Sequence, residues 1–392
     1  MFVLSEEQEL IRSSVSRYVA EQFSFHTRQR ILKSESGYDP DQWRQFAELG
    51  WLGMAIPEEY GGYGGNILDI ALVCQEFARA LLVSPYLTTV GVARAALVLS
   101  ASHSQKTRYL GQIAEGRAII SCALNEHEDP SFTIQTEARR SGNDYLLNGC
   151  KRLVPFGDQA DHLIASALLD GEVALFIVPS RSAGVTKRPY KMYDGWRAAD
   201  IDFSRVTLSR DQVLPGTTEE KIACIQDIET ALMCTETSAM MWEIHHQTLD
   251  YMKQREQFGQ TLSQMPALQH RIVDLYVQCQ LAQSMAENAV LAVNGSMPAA
   301  ERMREVSAAK AHIAEQGRLV GKEGIQLHGG MGMTDEVAVG HYLKRITSMA
   351  QMNGDVNWHR YRYHRLDPFQ PNDPRPDGNP EHETQGPPGR VP

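Results

Sequence analysis

The sequence predicts an α+β chain in three parts: an N-terminal helical domain, a central antiparallel β-barrel or sandwich, and a C-terminal four-helix bundle. Three observations predict it. Apolar residues recur at helical spacing from the N-terminus to about residue 118. From there to about residue 215, short apolar runs alternate with turn signals at hairpin spacing. Beyond that, helical spacing returns in long segments. The predicted boundaries are 1–118, 119–215 and 216–367, with a flexible Pro-rich tail over 368–392.

In the first part, Ser5-Glu6-Glu7-Gln8 is a capping box that starts a helix. Leu4, Leu10, Ile11, Val15 and Val19 continue it as an apolar stripe. Asp39 to Trp51 and Ile67 to Leu81 repeat the pattern. Between them, residues 57–65 are too rich in glycine to be helix.

In the second part, residues 118–124 form a short apolar run. Ser141 to Asp144 reads as a turn, Tyr145 to Leu147 as strand, and Asn148-Gly149 as a second turn. Residues 162–167 and 173–178 read as further strands. In the third part, helices are expected over 218–252, 261–293, 298–327 and 335 to about 350. Arg304, Lys310, Arg318 and Lys322 fall among Val306, Ala309, Ile313 and Leu319, an amphipathic pattern. In the tail prolines crowd in with glycines, and apolar residues are too few to offset ordering entropy.

Composition bounds the function. With 42% hydrophobic and 22% charged residues, 392 residues can bury a large core, so global disorder is excluded. A net charge of −10 argues against a nucleic-acid backbone as the main partner, while leaving room for a local basic pocket for a phosphorylated ligand. The six cysteines include no CxxC pair, and HExxH is absent, so neither a disulfide framework nor a structural metal is expected. No stretch approaches a membrane span or a targeting signal, and the chain reads as cytoplasmic. A P-loop is missing. Gly329 to Gly332 follows a helical pattern rather than a strand, so it fails as a dinucleotide fingerprint.

Three places could carry chemistry. Arg255 closes a long helix before Phe258-Gly259, where it could cap carbonyls or grip a phosphate bidentately. Gln326 to Met333 holds Gly329, Gly330 and Gly332, which form a plain interhelical turn or let backbone approach a flat or charged group. Glu229 sits on an apolar stripe with Ile222, Ile225, Leu232 and Ala239. A carboxylate there is either a salt-bridged residue at the stripe edge or one whose pKa rises, the profile of a general base. Glu236 shares that face and competes with it. Met233, Met240 and Met241 read as core packing before they read as a pocket lining.

Over about residues 4 to 366 the chain resembles the acyl-CoA dehydrogenase family of flavoproteins. The resemblance rests on Gly50 to Gly62, Arg255 to Gly259, Gln326 to Met333, and the order of the three parts. It implies FAD between the β-domain and the bundle, with its pyrophosphate held by an arginine and a glycine-rich loop of a neighbouring subunit. Arg255, Phe258, Gln326, Gly329, Gly330 and Gly332 match those positions. It implies α,β-dehydrogenation of an acyl-CoA thioester, in which a glutamate takes the α-proton and flavin N5 the β-hydride. Electrons then pass to an electron-transfer flavoprotein.

The family's usual base lies in a Glu-Gly-Thr string, where this chain has Asn353-Gly354-Asp355. Asn353 cannot be the base and matches the backbone donor to the thioester carbonyl, with Gly354 beside it. Isovaleryl and long-chain members keep the glutamate on an earlier helix, a position that matches Glu229; Asp355 is the runner-up. An earlier-helix base is associated with bulky or branched acyl groups.

Two departures stand out. Residues 125–131 differ from the family's stretch after the first strand, and Leu153 and Pro155 replace a Trp and a Ser or Thr over the flavin. Related enzymes for steroid side chains pair two unlike subunits. The chain is therefore expected to be an oligomer, either of one kind or with a homologous subunit. It is either a dehydrogenase in its own right or a non-catalytic or half-site partner, with a flavin-dependent oxidase or monooxygenase on the same fold as a third reading.

Overall fold

The computed structural model describes residues 4–126 and 133–366. The Pro-rich tail and residues 127–131 of the altered stretch lie outside the described residues. The expected order of helices, sheet and helices is observed.

The first helix, α1, spans Glu6–Gln22. Its capping box is closed: Ser5 Oγ accepts from the Gln8 N–H at 3.2 Å, and Gln8 Oε1 accepts from the Ser5 N–H at 3.1 Å. Val15 and Val19, one turn apart, are buried, whereas Leu10 of the same stripe is 70% exposed. Next come α2 (Phe25–Lys33), α3 (Pro40–Glu48) and α4 (Ile67–Arg79). A wide helical turn over Leu87–Ala93 leads into α5 (Arg94–Ser100), and α6 (His103–Ala114) follows. Most of α4 is buried, because it packs against α1 on one side and the later bundle on the other.

The strands are β1 (Ile120–Ala123), β2 (Glu137–Ser141), β3 (Asp144–Pro155), β4 (His162–Leu169), β5 (Glu172–Pro179), β6 (Val185–Lys191), β7 (Arg197–Leu208) and β8 (Val213–Leu214). They form one sheet in the order β6-β7-β3-β2-β4-β5-β8, with β1 also pairing with β4. Most pairings are antiparallel, but β1 and β2 run parallel to β4. The turn expected at Asn148-Gly149 is not a turn. β3 runs straight through it, and the β3–β7 register shifts there instead, so the glycine marks a bulge. A second shift lies between Lys151 and Val154. Lys151 is fully buried and donates to Glu126 Oε1 at 2.6 Å and to Ser166 Oγ at 2.8 Å, tying β3 to the segment after β1 and to β4. Burial brings its ammonium down to about 8, against the pull of Glu126.

The bundle holds α7 (Glu219–Gln254), α8 (Pro266–Asn294), α9 (Ala299–His328), α10 (Ala338–Gln351) and α11 (Val356–Arg365). A small hairpin, β9 (Glu256–Gln257) with β10 (Gln260–Thr261), joins α7 to α8. α11 was not expected, because its sequence is mostly polar and aromatic with no apolar stripe. Met233, Met240 and Met241 are buried core residues of α7. The expected amphipathic face of α9 is partly inverted: Lys310 is 3% exposed while Leu319 is 48% exposed. No described helix is long and apolar enough to cross a membrane.

One buried polar cluster joins the three parts. Arg345 of α10 pairs with Asp194 of the β6–β7 loop at 2.9 Å and with Glu236 of α7 at 3.2 Å. Its guanidinium lies 3.5 Å from the Trp196 ring centroid. Arg28 of α2 donates to the Asp194 carbonyl at 3.2 Å. Glu236, the competing base candidate, is thus committed to a structural ion pair.

Candidate active site

Ten residues into α7, Glu229 reaches a cleft between the bundle and the sheet. Counting the open solvent at its mouth, the cleft spans about 380 Å³, and its enclosed part has room for little more than a water molecule. Cys122 and Leu124 line it from β1 and just after, Arg152, Leu153 and Pro155 from β3, and Met352 and Asn353 from the turn after α10. Part of the Glu229 side chain is open to the cleft, but the surroundings of its carboxyl are protein. Burial therefore raises the carboxyl above its ordinary value, opposed by the Asn353 side chain and the Lys310 ammonium. The buried Asn353 Nδ2 makes no other hydrogen bond.

The turn that carries Asn353 is built with care. Asn353 has φ 54° and Gly354 φ 95°. A Cβ on Gly354 would sit 2.5 Å from the Trp358 ring, so both the backbone angle and the space demand glycine. The Asn353 carbonyl accepts from His359 Nε2 at 2.9 Å. That fixes the tautomer, leaving His359 Nδ1 to accept from Ser307 Oγ at 3.2 Å. Burial takes His359 down to about 2, so the ring stays neutral. Lys310 donates to the Met349 carbonyl at 2.5 Å, at the C-terminal end of α10. Asp355, the runner-up base, is used differently: its Oδ1 accepts from the Trp358 N–H at 2.8 Å as the N-cap of α11.

The remaining predicted site residues lie elsewhere. Arg255 ends α7, about 26 residues past Glu229, or about 39 Å at helical rise. Arg255, Gln326, Gly329 and Gly330 are exposed, Gly332 is buried, and Phe258 is 92% exposed. Tyr251 stacks on His328 with centroids 4.5 Å apart, so the Arg255 hairpin and the glycine-rich segment share one end of the bundle. Gly329 has φ 58°, and a Cβ on Gly329 or Gly330 would meet nothing within 4 Å. At Gly329 and Gly330 the backbone is open surface, whereas a Cβ on Gly332 would sit 2.6 Å from the Ile325 carbonyl oxygen.

Sequence reasoning missed Lys310 and His359. Lys310 lies four residues after Val306 and three before Ile313, on the buried stripe itself, and that spacing was the available signal. His359 had none, since its helix was unforeseen. Arg152, whose Nη1 lies 3.4 Å from both Asp200 and Asp202, was also missed.

The face that β3 turns to the cleft offers little to a flat heterocycle. The Leu153 N–H is taken by Asp200 Oδ1 at 3.2 Å, and Pro155 has no N–H. The bundle face, with Glu229 and the Asn353 amide beside it, is equipped.

Comparisons with known proteins agree with this layout. Residues 5–117 match the model of the acyl-CoA dehydrogenase N-terminal domain, and residues 227–365 that of the acyl-CoA dehydrogenase C-terminal domain. The chain is 31% identical over 354 residues to acyl-CoA dehydrogenase IpdE2 of Mycolicibacterium smegmatis, covering 90% of this chain and 96% of the relative. Its fold is similar to that of the ChsE4-ChsE5 complex from Mycobacterium tuberculosis, with TM-score 0.86, 21% identity, and coverage of 95% of this chain and 100% of that one. It is also similar to a Tcur3481-Tcur3483 steroid ACAD variant, with TM-score 0.83, 23% identity, and coverage of 92% and 97%. The fold, the two matched models and the near-full-length relative together place this chain in the acyl-CoA dehydrogenase family.

Proposed function

We propose that the protein catalyses FAD-dependent α,β-dehydrogenation of an acyl-CoA thioester, with Glu229 as the base. The observation that carries this is Glu229 itself: a carboxyl raised by burial, open to a cleft and facing Asn353. FAD, when bound, supplies a two-electron acceptor for the β-hydride. The chain's own residues do the rest. Glu229 takes the α-proton, leaving its bond pair to form the α,β double bond. A backbone N–H of the Asn353-Gly354 turn polarises the thioester carbonyl, without which an α-proton is too weakly acidic for a carboxylate. The substrate class is a bulky or ring-bearing acyl group, and an electron-transfer flavoprotein is the acceptor.

The flavin site is shared between chains. Arg255 and Gly329 lie too far along the bundle from Glu229 to serve the same cofactor within one chain, so they hold a partner's pyrophosphate. The donor-poor β3 face favours a heteromer in which a homologous subunit offers the better flavin surface. Purified alone and with a co-expressed homologue, the chain is tested by its visible spectrum. A colourless chain that becomes yellow only with the homologue supports the heteromer, and one flavin per chain in isolation supports a homo-oligomer. In either assembly, Arg255→Ala is expected to weaken flavin retention about 10- to 100-fold, the scale of a lost charge-assisted contact. Flavin content after gel filtration measures it.

A further inference from the structure

A chain of buried hydrogen bonds ends on the turn that carries Asn353. It starts at Asp227 of α7, two residues before Glu229 and so roughly 200° around the helix from it. Asp227 Oδ2 accepts from Arg302 Nε at 3.0 Å, and Arg362 Nη1 of α11 lies 2.7 Å from Asp227 Oδ1. The same Nη1 donates to Ser307 Oγ of α9 at 3.3 Å. A guanidinium cannot accept, so the Ser307 hydroxyl is left to donate, and it does so to His359 Nδ1 at 3.2 Å. His359 Nε2 then donates to the Asn353 carbonyl at 2.9 Å. Asp227, Ser307 and His359 are all buried, and each link fixes the direction of the next. At the receiving end, Asn353 and Gly354 both have left-handed backbone, which persists where the surroundings hold it. The Asn353 N–H has no hydrogen-bond partner among the described residues, and Asn353 lines the cleft. A buried N–H without a partner is rare, and one beside a cleft is free to meet a ligand oxygen.

We infer that His359 is a positioning residue: by gripping the Asn353 carbonyl it fixes the orientation in which the turn presents its N–H to the thioester oxygen, while Ser307, Arg362 and Asp227 hold its ring in the donating tautomer. The inference rests on the Asn353-Gly354 turn being the donor to the thioester, as proposed above. The other contacts of this segment do not duplicate the role. Lys310 holds the Met349 carbonyl before the turn, and Asp355 caps α11 after it. The His359 ring is neutral, so it has a single N–H to give, and the Asn353 carbonyl takes it. Through this chain the helix that carries Glu229 and the turn that carries Asn353 are held in one register.

Two substitutions separate the donor from the packing. His359→Gln places an amide N–H where Nε2 stands, whereas His359→Leu fills the space without a donor. The purified, flavin-loaded assembly is read in two ways. One is the limiting rate and half-saturating concentration of flavin reduction by an acyl-CoA ester that bleaches the wild type. The other is exchange of the α-proton with D2O in the analogue of that ester with sulfur in place of the β-carbon, which has no β-hydride to give. His359→Leu is expected to lower the limiting rate and the exchange about 10- to 100-fold, the scale of a misplaced catalytic group, with the half-saturating concentration moved by about threefold or less. His359→Gln should recover most of the loss. Ser307→Ala, which frees the ring to take its other tautomer, should fall between them and carries the test if His359→Leu does not fold. Wild-type rates in folded His359→Leu, or in Ser307→Ala where the leucine variant is unfolded, would overturn the inference, as would a loss that His359→Gln leaves unrepaired. A wild-type assembly that binds the analogue yet exchanges no α-proton would instead overturn the reading of Glu229 and the turn as the reacting groups.

Discussion

Glu229→Gln is expected to yield a folded, flavin-binding protein whose flavin reduction by acyl-CoA falls about 1,000-fold or more, the upper range for loss of a general base. Glutamine keeps the shape and loses only the proton acceptor. Since burial already disfavours the charged carboxylate at this position, folding should not suffer. Asp355→Asn is the control. It weakens the cap of α11 by about 1 kcal/mol or less and should leave the reduction rate largely intact. Rapid-mixing measurement of flavin bleaching compares the two. A near-normal rate in Glu229→Gln together with a collapsed one in Asp355→Asn would transfer the role.

Arg345→Met is expected to lower stability by about 3–5 kcal/mol, because it strands the buried carboxylates of Asp194 and Glu236. The Trp196 face and the Arg28 contact to the Asp194 carbonyl lose their neighbour as well. A shift of the denaturant midpoint measures this. The pairing with Arg345 is the cause only if neutral partners repair the loss. Combining Arg345→Met with Asp194→Asn and Glu236→Gln should recover a large share of the stability, since the uncompensated charges are then gone. No recovery would mean that the cluster acts through packing rather than charge.

Much of this fold was legible in the sequence because its elements are long and periodic. The helices α7, α8 and α9 follow their apolar spacing to within a few residues, and the Ser5 capping box works as read. What was illegible depended on partners remote in sequence. Asn148-Gly149 has turn chemistry, yet its neighbours pair with β7 on both sides, and sheet pairing overrides the local signal. α11 exists because Asp355 caps it and α9 lies against it, neither of which leaves a stripe. Lys310 belongs to an amphipathic pattern, but its place between Val306 and Ile313 puts it on the buried stripe. The site divided in the same way. Glu229 was visible from its own stripe, and it lines the cleft. The glycine-rich segment was visible as a motif, but its place beside the Arg255 hairpin depends on packing between helices remote in sequence.

The most direct measurement is anaerobic titration of the purified, flavin-loaded assembly with a panel of acyl-CoA esters, followed in the visible flavin band. At least one bulky or ring-bearing ester should bleach the wild-type flavin and leave the Glu229→Gln flavin oxidised. If every ester leaves a fully loaded wild-type flavin oxidised, or if Glu229→Gln bleaches as the wild type does, the dehydrogenase assignment to Glu229 is wrong.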